Sequence, residues 1–247
     1  MKRVLTKIGA VVFWLLLWQS GAMIANRNLL ISIPTPLDTV AALGRFAVQG
    51  EFWLTIGASL VRICIGFLAA VFLGTIGAIL TARFAVLHTL FEPILNLIRA
   101  IPVASFTILV FLWIDRGSIP SIISFFTVLP MVWANVESGL HSTDAGLVEM
   151  ARVFGMKKAD VLRHISLPAI RPFFTAAVGS GLGFAWKSGV AAEVICRAQH
   201  SLGNLLWGSK ASVNYDEVFA ITLVIVLLSA VLQSIARSVL KGGTQHA

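Results

Sequence analysis

The sequence predicts an all-α membrane protein with six transmembrane helices and both termini in the cytoplasm. Three observations lead there. Only 12% of the 247 residues are charged and 57% are hydrophobic, whereas a soluble domain carries about 25% charged residues. Mean hydropathy is +0.89. Six stretches reach the roughly 20 apolar residues that a spanning helix needs, and Lys and Arg concentrate on one side of them. The net charge of +8 therefore reflects topology. The bilayer is the expected surroundings, and no nucleic-acid partner is expected.

The first span covers roughly residues 8–25, behind Lys2, Arg3 and Lys7. With Ser20-Gly21-Ala22 at its end it also resembles a cleavable secretory signal. Trp14 and Trp18 suit a retained helix, which is the expectation here. Residues 26–56, with Pro34, Pro36 and Asp38, then form an external loop with room for a short interfacial helix. The second span, about 57–81, carries Gly66, Ala70, Gly74 and Gly77 at three-to-four-residue spacing. Small residues on one face let helices approach closely in lipid. The third, about 93–114, opens at Pro93 and is interrupted by Pro102. A break is expected there, because proline removes a helical hydrogen bond. Irregular backbone at that depth must be covered by protein or line a wet path. The fourth, fifth and sixth spans cover about 119–140, 169–195 and 217–238.

With the N-terminus inside, Arg83, Arg152, Lys157, Lys158, Arg163, Arg237 and Lys241 also fall inside. Arg27, Arg45, Arg116, Arg197 and Lys210 fall outside. The excess matches the positive-inside rule. No low-complexity tract or internal repeat divides the chain, so residues 1–247 read as one membrane domain.

Some chemistry is missing. There is no Gly-x-x-x-x-Gly-Lys-Ser/Thr phosphate loop and no His-Glu-x-x-His motif. Five His residues are scattered along the chain, and no metal site is expected. Cys64 and Cys196 are too few for a disulfide framework and read as packing residues. Nothing argues for an enzyme, and no cofactor is expected on this chain.

The polar stretch between about 141 and 168 breaks the greasy pattern. Leu147, Met150, Ala151 and Phe154 fall at i, i+3, i+4 and i+7, one apolar helical face. Gly155 follows where a helix would end, because glycine takes the left-handed conformation at little cost. A second short helix fits Lys158 to about His164, with Asp160 near its start and Arg163 near its end, as the helix dipole favours. Leu167-Pro168 closes it and opens the fifth span. On spacing alone this is either a solvated connector or a docking element with an apolar knob and a basic rim.

Glu149, Ala151, Gly155, Ile165, Leu167 and Pro168 keep every spacing of the Glu-Ala-Ala-x3-Gly-x9-Ile-x-Leu-Pro loop, with Met150 in place of the middle Ala. The chain thus resembles the permeases of bacterial binding-protein-dependent ABC importers, with a type I permease-like fold. Ser59-Leu60-x-Arg62-x3-Gly66-Phe67, Glu92-Pro93-x5-Arg99-Ala100-Ile101-Pro102-x-Ala104, Ala191-Ala192-Glu193 and Gly203-Asn204-Leu205-Leu206 resemble its nitrate, sulfonate and taurine branch. After Pro102 the sequence departs from that branch, with VASFTILVFLWIDRG in place of the usual Trp-Phe-Gly run.

The resemblance implies several things. The 141–168 loop, including Phe154, Lys157 and Lys158, would seat on a cytoplasmic ATPase dimer that carries ATP and Mg. An extracytoplasmic binding protein would deliver the cargo, a second copy of the chain would complete the path, and the location would be the bacterial inner membrane. A small anion such as a sulfonate, taurine or nitrate is the expected cargo. A heterocyclic vitamin precursor is the alternative, and an ion-coupled secondary transporter is the reading from another class.

Arg62, Arg99, Glu137, Lys187 and Glu193 fall in or near apolar segments. Such groups cost at least about 2.5–3.5 kcal/mol in a membrane, so each needs a partner or water. If the cargo is an anion, Arg99 and Lys187 are the candidates for transient contact with it; Arg99 lies three residues before Pro102, itself a path candidate at the break. Glu193 is the expected partner of Lys187 or of Arg197, four residues on, and a further candidate for the path.

Overall fold

A computed structural model describes residues 2–28 and 32–242. Among these the chain is helical: α1 (Lys2–Asn28), α2 (Pro36–Ala47), α3 (Gly50–Arg83), α4 (Ala85–Ala100), α5 (Val103–Phe111), α6 (Ile119–His141), α7 (Ala145–Val153), α8 (Lys158–Val161), a π turn (Leu162–Ser166), α9 (Leu167–Cys196), α10 (Leu202–Ala211) and α11 (Tyr215–Gly242).

Among the described residues four helices are long and apolar enough to cross a membrane: Ile8–Arg27, Gly50–Arg83, Ile119–His141 and Tyr215–Ser238. α4 and α5 qualify together as a pair bent by 101°. α9, the predicted fifth span, is less apolar. It carries Gly181, Gly183, Gly189, Ser188 and Glu193, and neighbouring helices cover all five. A helix enclosed by protein does not need a continuous apolar surface.

α3, α6 and α9 form the centre of the bundle. The small residues of α3 let it approach α6. A Cβ on Gly66 would lie 2.0 Å from the Ser121 carbonyl oxygen, and one on Gly77 would lie 2.3 Å from the Trp133 ring. Polar side chains bridge the same seams. The Ser121 hydroxyl donates to the Arg62 carbonyl at 2.7 Å, Ser124 to the Ala185 carbonyl at 3.0 Å, and the Trp133 indole to the Thr81 hydroxyl at 3.0 Å. Where no water competes, such bonds add to close packing in holding helices together.

α1 lies at the edge. Its apolar residues from Val11 to Leu17 are exposed, as suits a lipid-facing span. Its far end is pinned by the Trp18 indole, which donates to the Pro34 carbonyl at 3.1 Å and stacks on Phe219. The short helix expected between the first two spans is α2. Thr35 and Asp38 cap it reciprocally, and the hydrogen bonds from Thr35 hold the Asp38 carboxyl below the usual carboxylate range. Arg45 of α2 pairs with Asp216 of α11.

Two boundaries differ from expectation. α3 starts at Gly50, about two turns before the predicted 57, because its first turns pack Phe52 and Ile56 into the core. Pro93 is interior to α4 and does not start it; the turn at Phe84 starts the helix, and the chain runs on through Pro93. The break falls at Ile101-Pro102, where both residues are extended, with ψ of 124° and 130°. A residue before proline is disfavoured in the α region, so the helix ends there and restarts in a new direction.

Candidate coupling loop and transport path

The polar loop folds as helix, turn, helix. Asp144 caps α7 by accepting from the Gly146 N–H at 2.7 Å. The helix ends at Gly155, whose φ is +70°. The Met156 N–H reaches back to the Ala151 carbonyl at 2.9 Å, the six-to-one bond of a Schellman ending. The expected apolar face divides. Ala151 turns inward and is buried, whereas Phe154 and Val153 are each 80% exposed, with Leu147 and Met150 beside them. Glu149, Gly155 and Lys157 are exposed around this knob. Lys158 starts α8, but its side chain lies outside the described residues.

The second helix does not stop at Leu167-Pro168. α8, the π turn and α9 run on without a break from Lys158 to Cys196. Pro168 has no N–H to offer His164, four residues back, and a widened turn absorbs that loss. The Leu167 N–H bonds instead to the Leu162 carbonyl, five back. Ile165 is half-buried in that turn and Leu167 is exposed. The second half of the loop and the central helix are thus one rod.

The α4–α5 bend makes a cavity of about 470 Å³ in its crook. Ile94, Ile98 and Arg99 line it from α4, Ile101 from the break, Val103 and Phe106 from α5, α6 closes it, and Phe184 comes from α9. Pro102 shapes this cavity by creating the bend. The Arg99 guanidinium donates to the Pro130 carbonyl at 2.7 Å, halfway along α6. A smaller polar cavity of about 140 Å³ adjoins it and shares Arg99. There His88 lies 3.8 Å from Glu92 and 3.6 Å from Glu137.

Residues 62–242 match the family described as binding-protein-dependent transport system inner membrane component. The chain belongs to that family.

This permease is 31% identical over 205 residues to a probable ABC transporter permease protein of Brucella melitensis, covering 82% of this chain and 78% of that one. It is 25% identical to a putative aliphatic sulfonates transport permease protein of Bacillus subtilis, over 96% of this chain and 84% of the relative. It is 25% identical to the taurine transport system permease protein of Escherichia coli, over 94% and 86%. In fold it resembles the crystal structure of an amino acid ABC transporter with histidines, at a TM-score of 0.59 and 19% identity, covering 78% of this chain and 94% of that one. The permease is a multi-pass inner-membrane transport component and not an enzyme.

One sequence expectation for the permease needs correcting, and the two candidate cations lie apart. Lys187 is not among the residues that line the Arg99 cavity. It lines a separate cleft of about 590 Å³ between α9 and α11, with Gln233 and Arg237. Glu193 pairs with neither Lys187 nor Arg197. It is fully buried, and its Oε2 accepts from the Ser59 hydroxyl at 2.9 Å and from the Gly203 N–H at 3.2 Å. The Ser59 hydroxyl in turn accepts from the Leu202 N–H at 2.9 Å. Arg197 is the left-handed cap of α9, with φ of 53°, which carries it off the face of Glu193. Its guanidinium lies 4.3 Å from the centre of the Trp207 ring, a cation–π contact. Glu193 therefore acts as a clamp that fixes α10 to α3 and α9.

Sequence reasoning missed His88, Phe106, Phe126 and Phe184. His88 and Glu92 at i, i+4 were a visible signal for the polar cavity. Nothing local marks the three phenylalanines, because they meet only through the bend.

Proposed function

We propose that this chain is the permease subunit that forms the cargo path of an ATP-driven importer and is driven by a separate ATPase through the loop at about 141–168. In this reading residues 1–247 are one membrane domain with six spans: α1, α3, the α4–α5 pair, α6, α9 and α11. Both termini and the loop are cytoplasmic. Two copies face each other across the path, each seating its loop on one subunit of an ATPase dimer that carries ATP and Mg. A binding protein delivers the cargo from outside.

The observation that carries this reading is the unbroken rod from Lys158 to Cys196. One end follows the exposed Val153–Phe154 knob across the short turn at 155–157, and Phe184 on the same rod lines the cavity at the α4–α5 bend. At 1.5 Å per residue, Leu167 and Phe184 are roughly 25 Å apart along the helix. A push on the loop therefore moves the cavity wall. ATP acts by favouring one of two arrangements through differential contact at the knob. Burying one phenylalanine contributes about 1.5–3 kcal/mol, enough to bias such an equilibrium.

The cargo is a small anion or anionic-headed molecule, such as a sulfonate, taurine or nitrate, drawn by Arg99. The names of two relatives support this, and so does the absence of an acidic partner within salt-bridge distance of Arg99 among the described residues. A heterocyclic vitamin precursor would not need that charge. Family membership stands against ion-coupled secondary transport.

Co-isolation and uptake test the reading together. The ATPase subunit is expected to remain with the purified chain, in wild type and in Arg99→Ala alike. Arg99→Ala is expected to lower uptake about tenfold or more, as loss of a charged hydrogen bond would. A chain that never retains an ATPase, or unchanged uptake by the variant, contradicts the corresponding half.

A further inference from the structure

We propose that the cavity in the crook of the α4–α5 bend is a cargo subsite of the permease itself, and that it takes an anion bearing an extended apolar body. This deepens the reading above and rests on it. That reading assigns an anion and leaves nitrate, taurine and larger sulfonates equivalent; the cavity separates them.

The volume of about 470 Å³ falls within the roughly 300–1,000 Å³ that small-molecule pockets span, and such pockets are mostly apolar with a few placed polar groups. Ile94, Ile98, Ile101, Phe106, Phe126 and Phe184 supply the wall. Arg99 is the one charged residue among those that line it. Thr127 adds a hydroxyl, but it already donates to the Ile123 carbonyl at 2.7 Å. Among the described residues Arg99 is held in place through a hydrogen bond to the Pro130 carbonyl. A guanidinium has five N–H donors, so most of its donors remain for a ligand.

Nitrate would satisfy the guanidinium and leave the wall without contact. Taurine would put an ammonium where the wall offers no carboxylate; Glu92 and Glu137 line the adjoining polar cavity instead. An alkyl or aryl body fills the apolar space while its anionic head meets Arg99. Phe184 gives the site its connection to transport. It is the only residue of α9 among those lining the cavity, so displacement of the α8–α9 rod changes the wall against which the apolar body packs. A ligand that touches Phe184 is released by the same movement that carries the loop.

The test is calorimetric titration of the chain in lipid nanodiscs at fixed ionic strength. The probes are sodium methanesulfonate, butanesulfonate, hexanesulfonate, taurine and nitrate. Affinity is expected to rise about three- to fourfold per methylene along the sulfonate series, with taurine and nitrate at least tenfold weaker than hexanesulfonate. Arg99→Gln is expected to weaken every sulfonate about tenfold while keeping the dependence on chain length. Phe184→Ala is expected to flatten that dependence while keeping the preference for an anion. Taurine or nitrate binding as tightly as hexanesulfonate overturns the proposal, and so does hexanesulfonate binding that Arg99→Gln leaves unchanged, which would be partition into lipid. Retention of the ATPase by the same preparation is scored separately. Its absence counts against the importer reading, whereas the chain-length series counts only for or against the subsite.

Discussion

Gly66→Ala is expected to cost the permease its stable fold in the membrane. The added Cβ would stand 2.0 Å from the Ser121 carbonyl oxygen, 2.8 Å from its carbon and 3.0 Å from its Cα. All three are backbone atoms, so no rotamer change can relieve the clash. α3 must move away from α6, and the bond from the Ser121 hydroxyl to the Arg62 carbonyl goes with it. Overpacking of a core costs about 1–3 kcal/mol. A rigid backbone contact belongs at the upper end, and a lost hydrogen bond adds to it. Gly57→Ala is the control on the same helix, since a Cβ there meets nothing within 4 Å. It is expected to be neutral or to stabilise by up to about 1 kcal/mol. Thermal unfolding in detergent reads both. Wild-type stability in Gly66→Ala would show that the α3–α6 seam is looser than described.

Gly155→Glu is expected to leave the protein folded and inserted but to abolish ATPase retention and uptake. Its φ of +70° and the open space around it separate conformation from packing. A side chain there meets no neighbour but must hold the left-handed conformation, at about 1–2 kcal/mol. That strain loosens the Schellman ending that fixes Val153 and Phe154. The new carboxylate also puts a charge beside the apolar knob, where burial against a partner is costly. Gly155→Asn is the graded comparator. Asn tolerates the left-handed region and adds no charge, so it is expected to keep a substantial share of uptake. Pull-down of the ATPase beside membrane-fraction blots measures both variants. Uptake at the wild-type level in Gly155→Glu would remove the loop from the coupling mechanism.

Gly155 was legible in the sequence because a left-handed helix ending leaves a local mark. The small residues of α3 were legible because their spacing alone puts them on one face. Pro102 marked the break, since the preference of the residue before proline is also local. Pro93 misled for the complementary reason. One proline can sit inside a helix or begin it, and only the turn at Phe84 decides. The π turn before Pro168 was not legible, because it is the way an otherwise continuous helix accommodates a missing N–H. The Glu193 clamp was out of reach. Its partner Ser59 lies 134 residues away, and the i, i+4 rule that suggested Arg197 holds only while the helix continues. Arg99 and Lys187 looked equivalent as isolated cations. Only the packing of α4 on α6 and of α9 on α11 separates them into two cavities.

The most direct measurement is cargo uptake into proteoliposomes that hold the chain with its ATPase and the binding protein, with ATP and ion gradients varied independently. The account predicts uptake that requires ATP hydrolysis, persists when every ion gradient is collapsed, and falls to background with Gly155→Glu. Uptake sustained by an ion gradient without ATP would contradict it.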